Sequence, residues 1–383
     1  MRAASWQDLC RTARLIAWTG KERFSMADPV TLPVPGSGYR KIPVAEAAGT
    51  VLAHDITEVR PGEFKGVAFP KGHRVCESDI CHLQRLGREN LAILSLAEGE
   101  MHEDDAAVVL ALSLMGNGVG MQGPPHEGRV NLVARSAGLL TVNRDALLKF
   151  NLCGDVACST LHDTTVVSEG QVIADTRAIP LVIRRDAVMA AAGISEDAGK
   201  ILHIRPIRRP RAGLVITGNE VFSGRIRDAF GEIIAAKLAP YGGEVAGVRF
   251  APDNEAMIEA GLREMIDRGA DLLITTGGMS VDPDDVTRFA VRNLGTEGIA
   301  YGSAASPGAM ILVAWLDRPG GDPIPVIGVP ACALHAKTTV FDLILPRILS
   351  GEKIGRMELA DLGHGGLCLR CDECRYPLCP FGK

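Results

Sequence analysis

The fold is decided by residues 271–278, which read DLLITTGG. An unbroken run of apolar and β-branched residues that ends in a glycine pair is typical of a short strand buried on both faces. Two similar runs, AGLVIT at 212–217 and PVIGV at 325–329, lie before and after it. Apolar residues at helical spacing over 227–238 and 254–268 predict helices between the strands. Strands that alternate with helices predict a mostly parallel sheet with helices on both faces.

Glycines and polar residues follow the three strands, at the edge where an α/β sheet binds its ligands. Paired glycines let a ligand approach the backbone closely and offer N–H groups to phosphate. The candidate ligand contacts at these positions are Thr217, Gly218, Asn219, Thr276, Gly277, Gly278, Ser280 and Pro330. Each feature alone is also typical of an ordinary turn, but its recurrence at three strand ends favours a binding site.

Three acidic residues, Glu220, Asp253 and Asp285, belong to the same predicted edge. Carboxylates beside a phosphate repel it unless a cation bridges them, and Mg²⁺ is the usual cation. We therefore expect these residues to supply oxygen ligands to Mg²⁺. The alternative is that the aspartates cap the helices that follow them.

The chain divides into five predicted parts. A poorly ordered extension over 1–40 precedes a small α/β module over 41–120 and a β-rich module over 121–205. The α/β domain with the mostly parallel sheet spans 206–352, and a cysteine-rich tail spans 353–383. The predicted fold class is therefore α/β, a three-layer domain accompanied by a smaller α/β and β-rich part.

Composition excludes several classes of function. The 383 residues carry a net charge of −5, which argues against a general nucleic-acid binder. No apolar run approaches the ~18 residues that would span a bilayer, and no export signal is recognisable. We expect a cytoplasmic protein whose cysteines are thiols or metal ligands. No G-x-G-x-x-G motif follows a strand, which argues against a nicotinamide-dependent dehydrogenase.

An ordered set of motifs carries a resemblance to a known family. The motifs are ITGNE at 216–220, APDN at 251–254, TTGGMS at 275–280, SPG at 306–308 and GVP at 328–330. In this order and spacing they resemble the molybdopterin-binding domain shared by the molybdopterin adenylyltransferases and the molybdenum insertases of molybdenum-cofactor biosynthesis. Residues 42–56 and 72–94 are more loosely similar to the opening of the insertase.

The resemblance implies a protein that binds molybdopterin or its adenylated form. An insertase cleaves the adenylate with Mg²⁺ and places molybdate or tungstate on the dithiolene. By position, Glu220, Asp253 and Asp285 match the acidic residues of the family, which implies a catalytic role. The positions that match its ligand contacts are those named above together with Ser306, Pro307 and Gly308. Self-association is frequent in the family, which implies a homo-oligomer.

Departures from the family pattern leave two functions open. Ser306 and Ala309 stand where the insertase has lysines, and Pro330-Ala331-Cys332-Ala333 replaces a Pro-Gly-Asn-Pro turn. We expect no counterpart of the insertase's C-terminal β domain in the residues after Leu349. The retained acidic set favours an enzyme, a molybdenumtransferase. The missing lysines favour a carrier or regulator that delivers cofactor to a molybdenum or tungsten apo-enzyme.

The tail carries four closely spaced cysteines, Cys368, Cys371, Cys374 and Cys379. Two overlapping CxxC pairs can direct thiolates to one ion, and four thiolates suit Zn²⁺ or an iron–sulfur cluster. The spacing predicts a metal site and leaves zinc and iron–sulfur open. The alternative is a redox-sensitive disordered tail, with Gly363, Gly365 and Gly366 as a hinge before it.

Overall fold

The structure is a computed structural model that describes residues 39–60, 64–94, 96–279 and 285–383. Most of the predicted N-terminal extension lies outside these ranges, and so does Ser280 of the predicted ligand loop. In these ranges no helix is both long and apolar enough to cross a bilayer. Residues 38–383 make up one compact unit.

The first module places one helix against two pairs of strands. Its elements are β1 (Tyr39–Pro43), β2 (Ile56–Arg60), β3 (Phe64–Phe69), α1 (Glu77–Arg85) and β4 (Asn90–Leu94). Strand β1 pairs antiparallel with β4, and β2 pairs antiparallel with β3. Leu83 of α1 is fully buried and belongs to the same core as Phe69 and Leu91.

The second module is rich in antiparallel strands. Its strands are β5 (Glu100–His102), β6 (Val119–His126), β7 (Arg129–Ala134), β8 (Gly138–Val142), β9 (Val156–Thr160), β10 (Val166–Val167), β11 (Val172–Ala178), β12 (Val182–Arg184) and β13 (Leu202–Arg205). Its helices are α2 (Glu103–Leu114), α3 (Arg144–Asn151) and α4 (Arg185–Asp197). The largest sheet has the order β6-β7-β11-β9, and a second sheet has the order β10-β8-β13. The expected N-terminal β-rich region is thereby confirmed.

Helix α2 packs with the strands that follow it. Leu110 and Leu114 of α2 are fully buried and share one core with Leu132 and Phe150. A helix that is apolar on several sides must be surrounded by other elements. The sequence interpretation assigned this helix to the module before it, whereas the packing joins it to the β-rich module. The division of the chain into modules stays a prediction.

Glu103, the first residue of α2, is a buried carboxylate, and burial disfavours its charged form. Its exposed fraction is 9%. Burial, together with the nearby charge of Asp104, raises the pKa of Glu103 to about 7 from 4.5. The protonated form is therefore favoured in the folded protein.

Replacing Glu103 by glutamine is expected to remove a pH dependence of stability. In the wild type the stabilising contribution of the protonated Glu103 side chain is complete below pH 4.5. It is lost as the pH rises through about 7. At pH 8 we expect E103Q to exceed the wild type in free energy of unfolding by up to about 3 kcal/mol, with little difference at pH 4.5. Denaturant unfolding at both pH values checks this, with exposed Glu98→Gln as the control. Equal pH profiles for E103Q and wild type would contradict the assignment.

The third part is the α/β domain. Its strands are β14 (Arg211–Thr217), β15 (Glu244–Ala251), β16 (Leu272–Thr276), β17 (Glu297–Tyr301), β18 (Leu312–Leu316) and β19 (Ile324–Val329). Its helices are α5 (Asn219–Phe222), α6 (Phe230–Leu238), α7 (Glu255–Asp267), α8 (Thr287–Asn293), α9 (Val340–Leu349) and α10 (Arg356–Asp361). The six strands form one sheet in the order β15-β14-β16-β19-β18-β17. Strands β15, β14, β16 and β19 are parallel, and β18 is antiparallel to both neighbours.

The sheet lies between two hydrophobic cores, because its strands bury both faces. Along β16, Leu272 and Ile274 face the core that contains α6 and α9, while Leu273 faces the core that contains α7 and α8. All three side chains are fully buried. The predicted three-layer α/β fold with a parallel-rich sheet is confirmed.

The chain after β19 forms a short helical turn before its longer helix. A short 3₁₀ turn over Ala331–Leu334 comes first, and α9 begins only at Val340. Thr339 caps this helix, since its Oγ1 accepts a hydrogen bond from Phe341 N (3.2 Å) while Asp342 Oδ2 accepts one from Thr339 N (2.7 Å). This reciprocal cap fixes the start of α9 well after the turn.

The tail after α10 folds back onto the domain. Ser306 N donates to the Gly366 carbonyl oxygen (2.7 Å), and Cys368 N donates to the Ser306 carbonyl oxygen (2.9 Å). Phe381 is buried, with an exposed fraction of 3%. A Cβ at Gly366 would overlap the Leu362 carbonyl oxygen, so this glycine is required by a close approach. The expected flexible hinge is a packed segment in this structure.

Candidate functional site

Threonine side chains fasten the ends of β14 and β16 together. Thr217 Oγ1 donates to the Thr276 carbonyl oxygen (2.9 Å) and lies 3.3 Å from Thr287 Oγ1. All three threonines are buried. Because Thr217 ends β14, Thr276 ends β16 and Thr287 begins α8, these contacts hold three elements at the carboxyl edge of the sheet.

Gly277 and Gly278 present backbone without side chains at this edge. Their φ angles are +82° and +57°, in the region that favours glycine. A Cβ at Gly277 would lie 2.6 Å from the Thr217 carbonyl oxygen, and a Cβ at Gly278 would overlap Thr287 Oγ1. Both glycines are half-buried. A side chain at either position would push the threonines apart and cover the backbone.

A second pair of contacts joins the ends of β14 and β15. Asp253 Oδ2 accepts a hydrogen bond from Asn219 N (3.1 Å), and Asn219 Oδ1 accepts one from Asp253 N (3.3 Å). The alternative in which Asp253 caps α7 is wrong, because Asn254 does so by accepting from Met257 N (3.0 Å). Asp253 is thereby kept at the strand edge.

The acidic residues stand along this edge without forming a closed cage. Glu220 is exposed, and its Oε1 would lie 2.8 Å from a Cβ at Gly218. Asp285 is half-buried, two residues before α8. Across the described ranges, no group of three or more His, Cys, Asp or Glu side chains is arranged to hold a metal ion. Carboxylates that stand apart still fit Mg²⁺, which takes one or two of them together with substrate phosphates.

Pro330 and the Ser306–Gly308 turn lie at the same edge, one strand further along. Val329 pairs with Thr276 across the sheet, so Pro330 stands beside Gly277. The Pro307 carbonyl oxygen accepts a hydrogen bond from Val340 N (3.0 Å), which ties the turn to α9. The backbone hydrogen bonds of Ser306 go to Gly366 and Cys368, so this residue is tied to the tail and not to the ends of β14 and β16.

The tail thiols line a cavity. The cavity has a volume of about 490 Å³, and the thiols on its walls are Cys332, Cys368, Cys371, Cys374 and Cys379. Cys374 Sγ lies 3.3 Å from Thr338 Oγ1, and Cys368 Sγ accepts from Arg370 N (3.5 Å). Among the described residues, no group of three or more cysteines is arranged to hold a metal ion, so the structure does not support the predicted tetrathiolate site for zinc or an iron–sulfur cluster.

The cavity thiols differ in their electrostatic surroundings. The hydrogen bond from Thr338 lowers the pKa of the Cys374 thiol, and the charge of Lys337 acts in the same direction. Burial raises the pKa of the Cys332 thiol. A thiolate is the nucleophilic form of cysteine, so Cys374 is the more reactive of the two.

Two threonines at these sites were given no site role by sequence reasoning. Thr287 completes the threonine contacts at the strand edge, and Thr338 holds Cys374. The signal for Thr287 was present, since it follows the acidic position Asp285 closely. No such signal was present for Thr338, because Thr338 and Cys374 are 36 residues apart in the sequence.

Two parts of the chain match different family models. Residues 213–350 match a family model described as "probable molybdopterin binding domain". Residues 41–95 match a model described as a domain of unknown function. The CinA-like protein of Mycobacterium avium (strain 104) is 44% identical over 89 residues, which is 22% of this chain and 20% of that protein. The CinA-like protein of Mycobacterium marinum is 42% identical over 115 residues, which is 30% of this chain and 27% of that protein.

Solved structures are similar over a comparable part of the chain. The molybdopterin biosynthesis enzyme MoaB of Thermus thermophilus is 25% identical, with a TM-score of 0.31, and the match covers 37% of this chain and 98% of that one. The tungsten cofactor synthesizing protein MoaB of Pyrococcus furiosus is 18% identical, with a TM-score of 0.30 over 37% of this chain and 91% of that one. The curated relatives above are matched over less than a third of their length.

The residues that match the family model also carry the ordered motifs and form the parallel-rich sheet. Residues 213–350 are therefore similar to the molybdopterin-binding domain that this family model describes.

Proposed function

We propose that this chain binds molybdopterin or adenylyl-molybdopterin at the carboxyl edge of its parallel sheet and acts in molybdenum-cofactor maturation. The observation that carries the proposal is the meeting of Thr217, Gly277 and Gly278 at the ends of two adjacent parallel strands. Fixed strand ends with uncovered glycine backbone suit a phosphate-bearing ligand.

The residues around this point supply the complementary chemistry. Backbone N–H groups of Gly277 and Gly278 would donate to phosphate oxygens, while the Asn219–Asp253 pair orients one carboxylate at the edge. Glu220, Asp253 and Asp285 would hold Mg²⁺ together with the phosphates of the ligand. When bound, the ion would neutralise charge that develops as the phosphoanhydride is cleaved. Ser280 lies outside the described residues and stays a predicted contact.

The proposed reaction is cleavage of the adenylate, with release of AMP and placement of molybdate or tungstate on the dithiolene. Water would attack the phosphorus atom that carries adenosine, and the pterin phosphate would leave. Asp285 stands at the start of α8, and Thr287, two residues further on, contacts Thr217. This closeness along the chain supports a role for Asp285 beside a ligand held by the glycines.

Replacing Asp285 by alanine is expected to abolish most of the Mg²⁺-dependent AMP release, by roughly 100-fold or more, as is typical when one charged group that stabilises a transition state is removed. The measurement is single-turnover AMP release from adenylyl-molybdopterin with and without Mg²⁺. Asp317→Ala is the matched control, because Asp317 is exposed and follows β18 at the opposite edge of the sheet. Unchanged AMP release in D285A would remove Asp285 from the mechanism.

A carrier that delivers cofactor to an apo-enzyme is the second candidate. Its support is that Ser306 and Ala309 present no cation beside the Pro307-Gly308 turn. A carrier binds pterin with equal affinity in the wild type and in D285A and releases no AMP from either. An enzyme releases AMP in the wild type alone. One titration and one AMP assay on the two proteins therefore separate the candidates.

A further inference from the structure

The thiol-lined cavity beside the Ser306–Gly308 turn has chemistry that the pterin proposal does not use. Of the described cysteines, five line this single cavity of about 490 Å³. Cys371 and Cys374 form a CxxC pair on its wall, and both are exposed to solvent. A CxxC pair can close a disulfide within one turn of chain, and exposure lets a small molecule reach it.

Cys374 is held in place by the body of the domain. Thr338, whose exposed fraction is 6%, lies immediately before the cap of α9 and reaches Cys374 Sγ at 3.3 Å. The tail around Cys374 is itself fixed, because the Tyr376 hydroxyl donates to the Asp342 carbonyl oxygen (3.2 Å). The sulfur therefore has one defined position at the cavity mouth.

The charges on the cavity wall favour a thiolate. Lys337, Arg370 and Arg375 line the cavity, and Asp372 is the carboxylate on the same wall. Among the described residues, none of these three cations has a carboxylate within ion-pair distance. Cations around a hydrogen-bonded sulfur stabilise the ionised form of that sulfur.

We propose that Cys374 is the nucleophile of a redox-active dithiol with Cys371, and that this pair exchanges with small disulfides. The Cys374 thiolate attacks one sulfur of the small disulfide, a mixed disulfide forms, and one small thiolate leaves. The Cys371 thiolate then attacks Cys374 Sγ, the Cys371–Cys374 disulfide forms, and the second small thiolate leaves. Two electrons pass from the cysteine pair to the small disulfide, which is reduced to two thiols.

Thr338 acts as a positioning residue in this account. Its hydroxyl donates to the thiolate, so Thr338→Val removes the donor and keeps the shape of the side chain. We expect the pH midpoint of Cys374 alkylation to move upward and the alkylation rate at pH 7 to fall by about threefold to tenfold. Thr338→Ser keeps a hydroxyl and is expected to restore both. Loss of packing alone would not raise the pH midpoint in Thr338→Val and restore it in Thr338→Ser.

The experiment is timed alkylation of the reduced full chain with iodoacetamide, followed by peptide mapping. We expect Cys374 to react at least tenfold faster than Cys81, an exposed cysteine far along the chain on α1, and Cys158 to stay unmodified, because burial raises the pKa of that thiol to about 12. After incubation with oxidised glutathione, we expect one intramolecular disulfide, between Cys371 and Cys374.

Three results would overturn the proposal. Equal rates at Cys374 and Cys81 would mean that the cavity does not activate the thiol. A disulfide between other cysteines would assign the resolving role elsewhere. Thiols that react only after a chelator is added would mean that a metal ion holds them. If Cys374→Ser unfolds the chain, the Thr338 variants still test the proposal.

Discussion

Purified Gly278→Asp is expected to retain at least tenfold less pterin than the wild type. Gly278 has φ +57°, a conformation that aspartate can adopt at modest cost, so the backbone can keep its path. The new Cβ would overlap Thr287 Oγ1 and stand 3.4 Å from Thr217 Oγ1. The threonine contacts must open, and a carboxylate then stands where the ligand phosphate is proposed to bind. Repulsion between these like charges adds to the steric effect.

Gly295→Asp is the matched control for this variant. Gly295 also has a positive φ, +91°, and lies in the same domain just after α8, yet nothing lies within 4 Å of a Cβ built there. Both variants therefore carry the same new charge and a similar backbone cost, and only Gly278 lies at the strand edge. Pterin retained by G278D at the level of the wild type would remove the glycine pair from the site.

Replacing Phe150 by alanine is expected to lower the free energy of unfolding of the protein by about 3–5 kcal/mol. Phe150 lies at the end of α3, is fully buried, and belongs to the core that α2 shares with the strands. The lost aromatic ring removes apolar burial and leaves a cavity that the close-packed strands cannot fill. Denaturant unfolding followed by far-ultraviolet circular dichroism measures the change.

Leu148→Ala on the same helix is the control for this prediction. The exposed fraction of Leu148 is 61%, so its truncation is expected to change the free energy of unfolding by less than about 1 kcal/mol. Equal effects of the two substitutions would contradict the placement of α3 against the core. Retention of pterin by folded F150A would agree with a binding site that is confined to the α/β domain.

The sequence alone predicts the α/β domain well, because its signals are local. The run over 272–276 has no charged interruption, and β16 is buried on both faces at these residues. The glycine pair after it marks the strand end, and the structure places it against Thr217. Strand burial and turn chemistry are both carried by adjacent residues, so periodicity is enough to locate them.

Contacts between residues far apart in the sequence could not be predicted. Both Asp253 and Asn254 are good helix caps by residue type, and only the contact with Asn219 explains why Asn254 takes that role. Likewise, nothing in the residues of α2 says which neighbouring module will cover it. These outcomes depend on packing that forms after the local elements do.

The tail illustrates the same limit for functional residues. Four cysteines at CxxC spacing predict a metal site when only the spacing is considered. The structure instead fixes Cys374 through Thr338 and ties Cys368 to the Ser306 turn. Neither contact could be read from the cysteine spacing. Gly366, one of the glycines that suggested a hinge, is required by close packing against Leu362.

Binding of a pterin at the carboxyl edge of the sheet can be tested on the purified protein. The most direct test is anaerobic purification of the full chain from a host that makes molybdenum cofactor, followed by acid–iodine oxidation and fluorescence detection of the released pterin. We expect near-stoichiometric pterin on the wild-type protein. Folded wild-type protein without pterin, both as isolated and after incubation with molybdopterin, would contradict this expectation.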